Sequence, residues 1–245
     1  MPKSLLHCGA GGGIDVLTLR KSEDRGQGEH GWLSERHSFS FGGYHDPRFQ
    51  GFGHLRVINE DRIAPGGGFP THGHADMEIV TYIIEGTLAH KDSTGTGAII
   101  YPGDAQRMSA GTGIRHSEYN ASQTASVHLL QIWIEPGRQG LAPAYQQAAL
   151  PPLSGGPQLD LIGGPDGGAV AIHQDVRLWR AIVPAGDSLS VPLARNRKAW
   201  VQLIKGSGTL NGIAISAGDG IAALEETGLV IAASSPIEAL VFDLQ

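Results

Sequence analysis

The chain reads as an all-β protein built from two small β-barrels in tandem, with few short helices. Three observations lead there. Runs rich in β-branched and aromatic residues recur through both halves. Thirty-six glycines and fourteen prolines supply many tight turns. The two halves also share a pattern. Tyr82-Ile83-Ile84-Glu85-Gly86 is echoed by Gln202-Leu203-Ile204-Lys205-Gly206, and a Gly-Asp turn follows each, at Gly103-Asp104 and Gly218-Asp219. Two copies of one barrel module explain this economically.

In the first half, strands are predicted over residues 55–59, 78–84, 98–101 and 128–134. In the second they are predicted over 177–183, 188–193, 200–204, 212–215, 228–232 and 237–242. Residues 137–157, rich in Gly, Pro, Ala and Gln, read as a linker between a domain of residues 1–136 and one of residues 158–245. A helical turn is predicted there around Ala144 to Ala149.

The bulk properties narrow the function. The 245 residues make one large or two ordinary domains. A formal net charge of −6 without a basic tract gives direct nucleic-acid binding or a membrane surface no electrostatic support. No apolar run nears the ~20 residues of a membrane helix, and residues 1–13 lack a signal-peptide core. Cys8, the only cysteine, cannot form an internal disulfide, so a cytoplasmic setting is expected.

Ten of the eleven histidines lie between His7 and His128. Among them, His72-Gly73-His74 and His116-Ser117-Glu118 each place two potential metal ligands at i, i+2. On a strand that spacing puts both side chains on one face. Two such strands side by side aim three imidazoles and one carboxylate at one point. These donors suit Fe(II), Mn(II), Ni(II), Cu(II), Co(II) or Zn(II) and leave coordination positions open for substrate. Aligning the two halves puts Pro192, Ala194, Ile231 and Ala233 at the matching positions. None of these side chains is a ligand, so the second barrel carries no such site.

Other residues invite a bland and a sharper reading. His37, His45 and His54 read as hydrogen-bonded or surface histidines, with His37 also a candidate for the pocket. His90 is expected on a loop, and His128 as a satisfied core or rim residue. Phe69, Met77, Met108 and Trp133 each read as core, or together as an apolar mouth for an aromatic ligand.

Gly66, His72, His74, Glu78 and Gly86, followed by Gly113, His116 and Asn120, resemble the two cupin motifs, G-x5-H-x-H-x(3,4)-E-x6-G and G-x5-P-x-G-x2-H-x3-N. Here seven residues separate Glu78 from Gly86, Gly111 replaces the proline, and Ala105 replaces the leading glycine of the second motif. The segments Arg36-His37-Ser38-Phe39-Ser40-Phe41, Leu55-Arg56-Val57-Ile58-Asn59-Glu60-Asp61, Met108-Ser109-Ala110-Gly111-Thr112-Gly113-Ile114-Arg115-His116-Ser117-Glu118 and Gln131-Ile132-Trp133-Ile134 further resemble the pirin family.

That resemblance implies a bicupin with one metal, iron(II) foremost, in the N-terminal barrel. It implies His72, His74, His116 and Glu118 as ligands. Glu78, the ligand position of many other cupins, has the same strand parity and is expected near the ligands, where it could orient an imidazole. The resemblance implies dioxygenase cleavage of a quercetin-like flavonol, with Glu118 accepting the 3-hydroxyl proton and carbon monoxide and a depside as products. The alternative it leaves open is a metal- or redox-sensing regulator that binds a protein partner.

Overall fold

The computed structural model describes residues 17–245. The expectations for His7, Cys8 and the first residues fall outside them. The strands in chain order are β1 (Leu17–Arg20), β2 (Gly26–Glu29), β3 (Leu33–His37), β4 (Leu55–Ile63), β5 (Gly68–His74), β6 (Glu78–Glu85) and β7 (Leu88–Asp92). They continue with β8 (Gly97–Ile100), β9 (Asp104–Ser109), β10 (Ile114–Asn120), β11 (Val127–Ile134), β12 (Ala144–Ala149), β13 (Gln158–Gly164) and β14 (Gly167–Gly168). The last are β15 (Val170–Ala171), β16 (Val176–Val183), β17 (Ser188–Pro192), β18 (Lys198–Leu210), β19 (Ile213–Ser216), β20 (Gly220–Ala223) and β21 (Gly228–Leu244). Among the described residues the helical content is one 3-10 turn, Ser22–Asp24.

The N-terminal barrel pairs a seven-stranded sheet, ordered β12-β9-β6-β11-β4-β3-β2, with a four-stranded sheet, ordered β5-β10-β7-β8. Alternating burial along β10, from Ile114 to Asn120, shows one face turned inward. Two apolar clusters close the barrel. Ile63, Ile83, Val127 and Leu129 of the larger sheet meet Leu88 and Ile100 of the smaller, and Ile79 and Met108 meet Ile114. The C-terminal barrel is one continuous nine-stranded sheet centred on β18 and β21. The two strands predicted over 228–232 and 237–242 are a single long strand, β21. Register shifts along the β18–β21 ladder, between Leu203 and Gly208, let one pair bend around a corner of the barrel.

The repeated glycines mark equivalent turns. Gly86 and Gly206 have φ of 77° and 86°, and Gly103 and Gly218 have φ of 88° and 85°. A side chain at any of these would be strained in the left-handed region.

The helical turn predicted around Ala144 to Ala149 is instead the edge strand β12, paired with β9 from Ala144↔Ser109 to Ala149↔Asp104. Alanine-rich sequence favours helix only weakly, and an unpaired neighbouring strand edge outweighs it. Gln147 seals the pairing by donating to the Ile99 carbonyl and to Asp104. At the other end of the chain, β1 joins β20 of the C-terminal barrel, Leu17 opposite Ala223. Both barrels feed one apolar cluster, in which Phe39, Leu55 and Ile132 pack with Trp200, Leu240 and Phe242.

Candidate metal centre

Strand pairing builds the site. In the antiparallel β5–β10 ladder His116 lies opposite His72 and Ile114 opposite His74. The i, i+2 spacing therefore turns His72 and His74 to the same side as His116. A bulge between His116 and Glu118 shifts the register, so that Glu118 stands opposite Phe69 on one side and opposite His90 of β7 on the other.

His72, His74 and His116 offer ring nitrogens that all lie within 4.8 Å of one another. Their ring centroids are 4.5 to 4.9 Å apart. The Nδ1 of His72 is engaged by the Pro70 carbonyl at 2.8 Å. That bond fixes the tautomer with a proton on Nδ1 and leaves Nε2 as a free lone pair. His116 is 2 % exposed, and neither of its ring nitrogens has a hydrogen-bond partner. A buried polar atom without a partner is costly, and coordination to a cation would satisfy it. Burial also favours the neutral form of His74 and His116, the form that binds metals. It lowers His116 to about 3 and His74 to about 4, with the neighbouring imidazoles adding to the effect. The donor set fits a divalent first-row transition ion.

Glu118 is equally buried. Burial pushes its carboxyl up to about 7, against the opposing pull of a hydrogen bond from Gln131. Gln131 Nε2 donates to Glu118 Oε2 at 2.8 Å, and Trp133 Nε1 donates to Gln131 Oε1 at 3.3 Å. The Trp133 ring stands edge-on to His74, centroids 4.9 Å apart, and Phe41 stands edge-on to Trp133 at 5.3 Å. Phe69 packs between Trp32 and His72. Trp133 and Phe69 thus form an aromatic margin beside the histidines.

The remaining candidates divide between the core, the surface and the margin of the site, and Glu78 sits elsewhere than expected. Met108 is fully buried against Ile79, Ala110 and Ile114 and belongs to the core. Glu78 lies apart from the histidines. Its Oε2 is contacted by His173 Nδ1 at 3.1 Å and by Arg107 Nε at 3.8 Å, so the one histidine of the C-terminal half docks onto the first barrel. His37 is buried with Nδ1 2.8 Å from Asn59 Oδ1 and its ring 5.5 Å from Phe41. It supports the aromatic margin from behind. His45 is exposed, His54 lies 3.7 Å from Glu135, and His128 is satisfied by Glu60 at 2.9 Å.

His90 is a correction. It is not on a loop but inside β7, 3 % exposed. Its donor atom lies within 4.8 Å of those of His116 and Glu118. The missed signal is His90-Lys91-Asp92, another i, i+2 pair on a strand. Gln131 lies in the family-like segment 131–134, but its spacing assigns it no role, which appears only in its hydrogen bond to Glu118. In the second barrel, Ile231 and Ala233 lie in an apolar core with Val191 and Leu229, and no metal-binding group is found there among the described residues. No helix of the described residues is long and apolar enough to cross a membrane.

Comparison with known proteins agrees with this architecture. A family model described as pirin matches residues 18–134, and one described as quercetinase C-terminal cupin domain matches residues 161–244. A protein of Escherichia coli named quercetin 2,3-dioxygenase is 46% identical over 231 residues, covering 94% of this chain and 99% of its own length. A pirin-like protein of Caulobacter vibrioides is 38% identical, covering 91% of this chain and 98% of its own. The crystal structure of YhhW from Escherichia coli superposes with a TM-score of 0.89 at 46% identity, covering 94% of this chain and 97% of that one. The same bacterial pirin in complex with nickel(II) gives 0.88 at 45% identity, covering 93% and 98%. The strand-built tandem barrels, the full-length relatives and the matched models together establish that this chain belongs to the pirin family of bicupins.

Proposed function

We propose that the chain is a metal-dependent dioxygenase that cleaves quercetin-like flavonols with dioxygen. The observation that carries this reading is the cluster of His72, His74 and His116, whose ring nitrogens lie within 4.8 Å of one another, with the buried carboxyl of Glu118 close to His116. The relative named quercetin 2,3-dioxygenase supports the substrate class. A divalent transition ion held by His72, His74, His116 and Glu118, iron(II) by family resemblance, supplies Lewis acidity and a common site for substrate and oxygen. The chain's own residues do the rest. Glu118 accepts the proton of the flavonol 3-hydroxyl. Gln131 keeps that carboxyl aimed through its 2.8 Å hydrogen bond. Trp133 and Phe69 offer apolar faces to an aromatic ligand and exclude water. Ring opening with one dioxygen then yields a depside and carbon monoxide, in a cytoplasmic setting.

The test is anaerobic reconstitution with Fe(II), Mn(II), Ni(II) or Cu(II), followed by admission of air in the presence of quercetin. Loss of flavonol absorbance with release of carbon monoxide is expected for at least one metal. Absorbance that persists with all of them overturns the reading.

A further inference from the structure

We infer that His90, His116 and Glu118 form an inner metal position that shares His116 and Glu118 with the one that includes His72 and His74, so that the two are alternative seats for one ion. The inference rests on the histidine cluster being a metal centre, as proposed above, but it assigns a ligand that the family motifs do not contain.

The argument starts from His90. Its Nε2 lies 3.0 Å from Asp92 Oδ2. Its Nδ1 is enclosed and has no hydrogen-bond partner. Asp92 is itself locked, its Oδ1 accepting from the backbone N–H and hydroxyl of Thr94 and from the backbone N–H of Thr96. This is the arrangement of a ligand histidine. One nitrogen donates to a carboxylate that fixes ring and tautomer, and the other is left as a lone pair without an acceptor's usual partner. His72 shows the same arrangement with the Pro70 carbonyl as its anchor.

The neighbours complete the set. Glu118 sits directly across the β7–β10 ladder from His90, and His116 lies with its ring centroid 5.3 Å from that of His90. The three donor atoms lie within 4.8 Å of one another. Donors around one ion, each ~2.1 Å from it, stand ~3–4 Å apart, so a small rotation of the side chains closes the site. Gln131 occupies Oε2 of Glu118 and leaves Oε1 free. The grouping that contains His72 and His74 does not include His90. Glu118 likewise falls outside that grouping, so the inner position is where a cation meets the bare nitrogen of His90 and the free oxygen of Glu118 together. All three inner donors are buried, whereas His72 and His74 are half-buried. The inner position is therefore the more enclosed of the two. His116 belongs to both groupings, and its single lone pair as a neutral imidazole serves one seat at a time.

The experiment uses Co(II) as probe, with stoichiometry from equilibrium dialysis and ligand-field absorption as a second readout, on the whole chain. His72→Ala/His74→Ala removes two outer donors at the edge of the smaller sheet, where truncation disturbs the core little. That variant is expected to keep one Co(II) per chain. Adding His90→Gln, which retains a group for Asp92 but places no nitrogen at Nδ1, is expected to abolish binding and its absorption bands. Loss of Co(II) in the first variant overturns the inner position, and so does binding that survives His90→Gln. If the unaltered chain binds no Co(II), the outer centre fails as well, which separates the two claims. Thermal melting checks the fold, and His72→Gln/His74→Gln replaces the alanine pair should that pair melt early.

Discussion

Asp61, on β4, is a carboxyl that folding would rather keep neutral. It is 2 % exposed, and its Oδ1 has no partner. Burial, reinforced by the nearby charges of Glu35, Glu118 and Glu60, pushes it up to about 8. The unfolded chain releases this proton near 3.8, the folded chain only near 8, so stability falls as pH rises between those values. Asp61→Asn is expected to raise Tm clearly at pH 7 and hardly at pH 4, by an amount on the order of 2–4 kcal/mol at pH 7. Paired thermal melts check it. Glu60, next in sequence, behaves oppositely. Burial raises its pKa, but the hydrogen bond to His128 and the charge and hydrogen bond of Arg25 outweigh that and hold it at about 2. Its contribution is complete above about 4.5 and fades as pH falls towards 2. Glu60→Gln should cost about 2–3 kcal/mol at neutral pH and flatten the acid limb of the stability curve, as denaturant titrations at several pH values would show. At the site itself, Gln131→Leu removes the hydrogen bond that aims Glu118. A 10–100-fold fall in metal affinity or turnover is expected, measured by metal titration and flavonol assay. The convergence of His72, His74 and His116 was legible because strand parity converts i, i+2 spacing into a shared face. Gln131 was not, since its role comes from a cross-barrel contact that no local spacing records.

Among the elements, Gly111 shows how a departure from the motif has a physical cause. Its φ is +49°, while proline is confined near −65°. A Cβ there would also lie 2.0 Å from the Leu141 carbonyl oxygen. Restoring the motif with Gly111→Pro is therefore expected to destabilise the turn before β10, costing about 3 kcal/mol or more, with lower metal content in the purified protein as the readout. The strands 78–85 and 127–134 were readable almost to the residue, because both are runs of apolar and β-branched side chains buried on two faces. β12 was not. Its alanines say little, and what makes it a strand is the exposed edge of β9. His90 was lost for the same reason, since its meaning depends on Glu118 standing opposite.

The whole molecule behaves as more than two modules in a row. Trp200 of the second barrel is 1 % exposed and packs on Phe39 and Phe52 of the first half, centroids 4.7 and 5.8 Å away. Tyr82 donates to Glu238, Ser38 to Gln202, and His173 reaches Glu78. Calorimetry should show a single unfolding transition. Trp200→Ala should lower stability by about 3–5 kcal/mol and keep the transition single, since the cavity opens in a core that both barrels share. Two separate transitions would contradict this. The duplication was visible in the sequence as repeated turn glycines. The shared core was not, because its members are ordinary apolar residues whose partners lie in the other copy.

The first described strand, β1, finds its partner β20 some 200 residues further along the chain. At a ribosome adding ~5–20 residues each second, Leu17 waits tens of seconds for Ala223 to emerge. Its sheet closes only once β20 has been made, and until then the nascent second barrel exposes an open edge where a chaperone or a stray strand could bind.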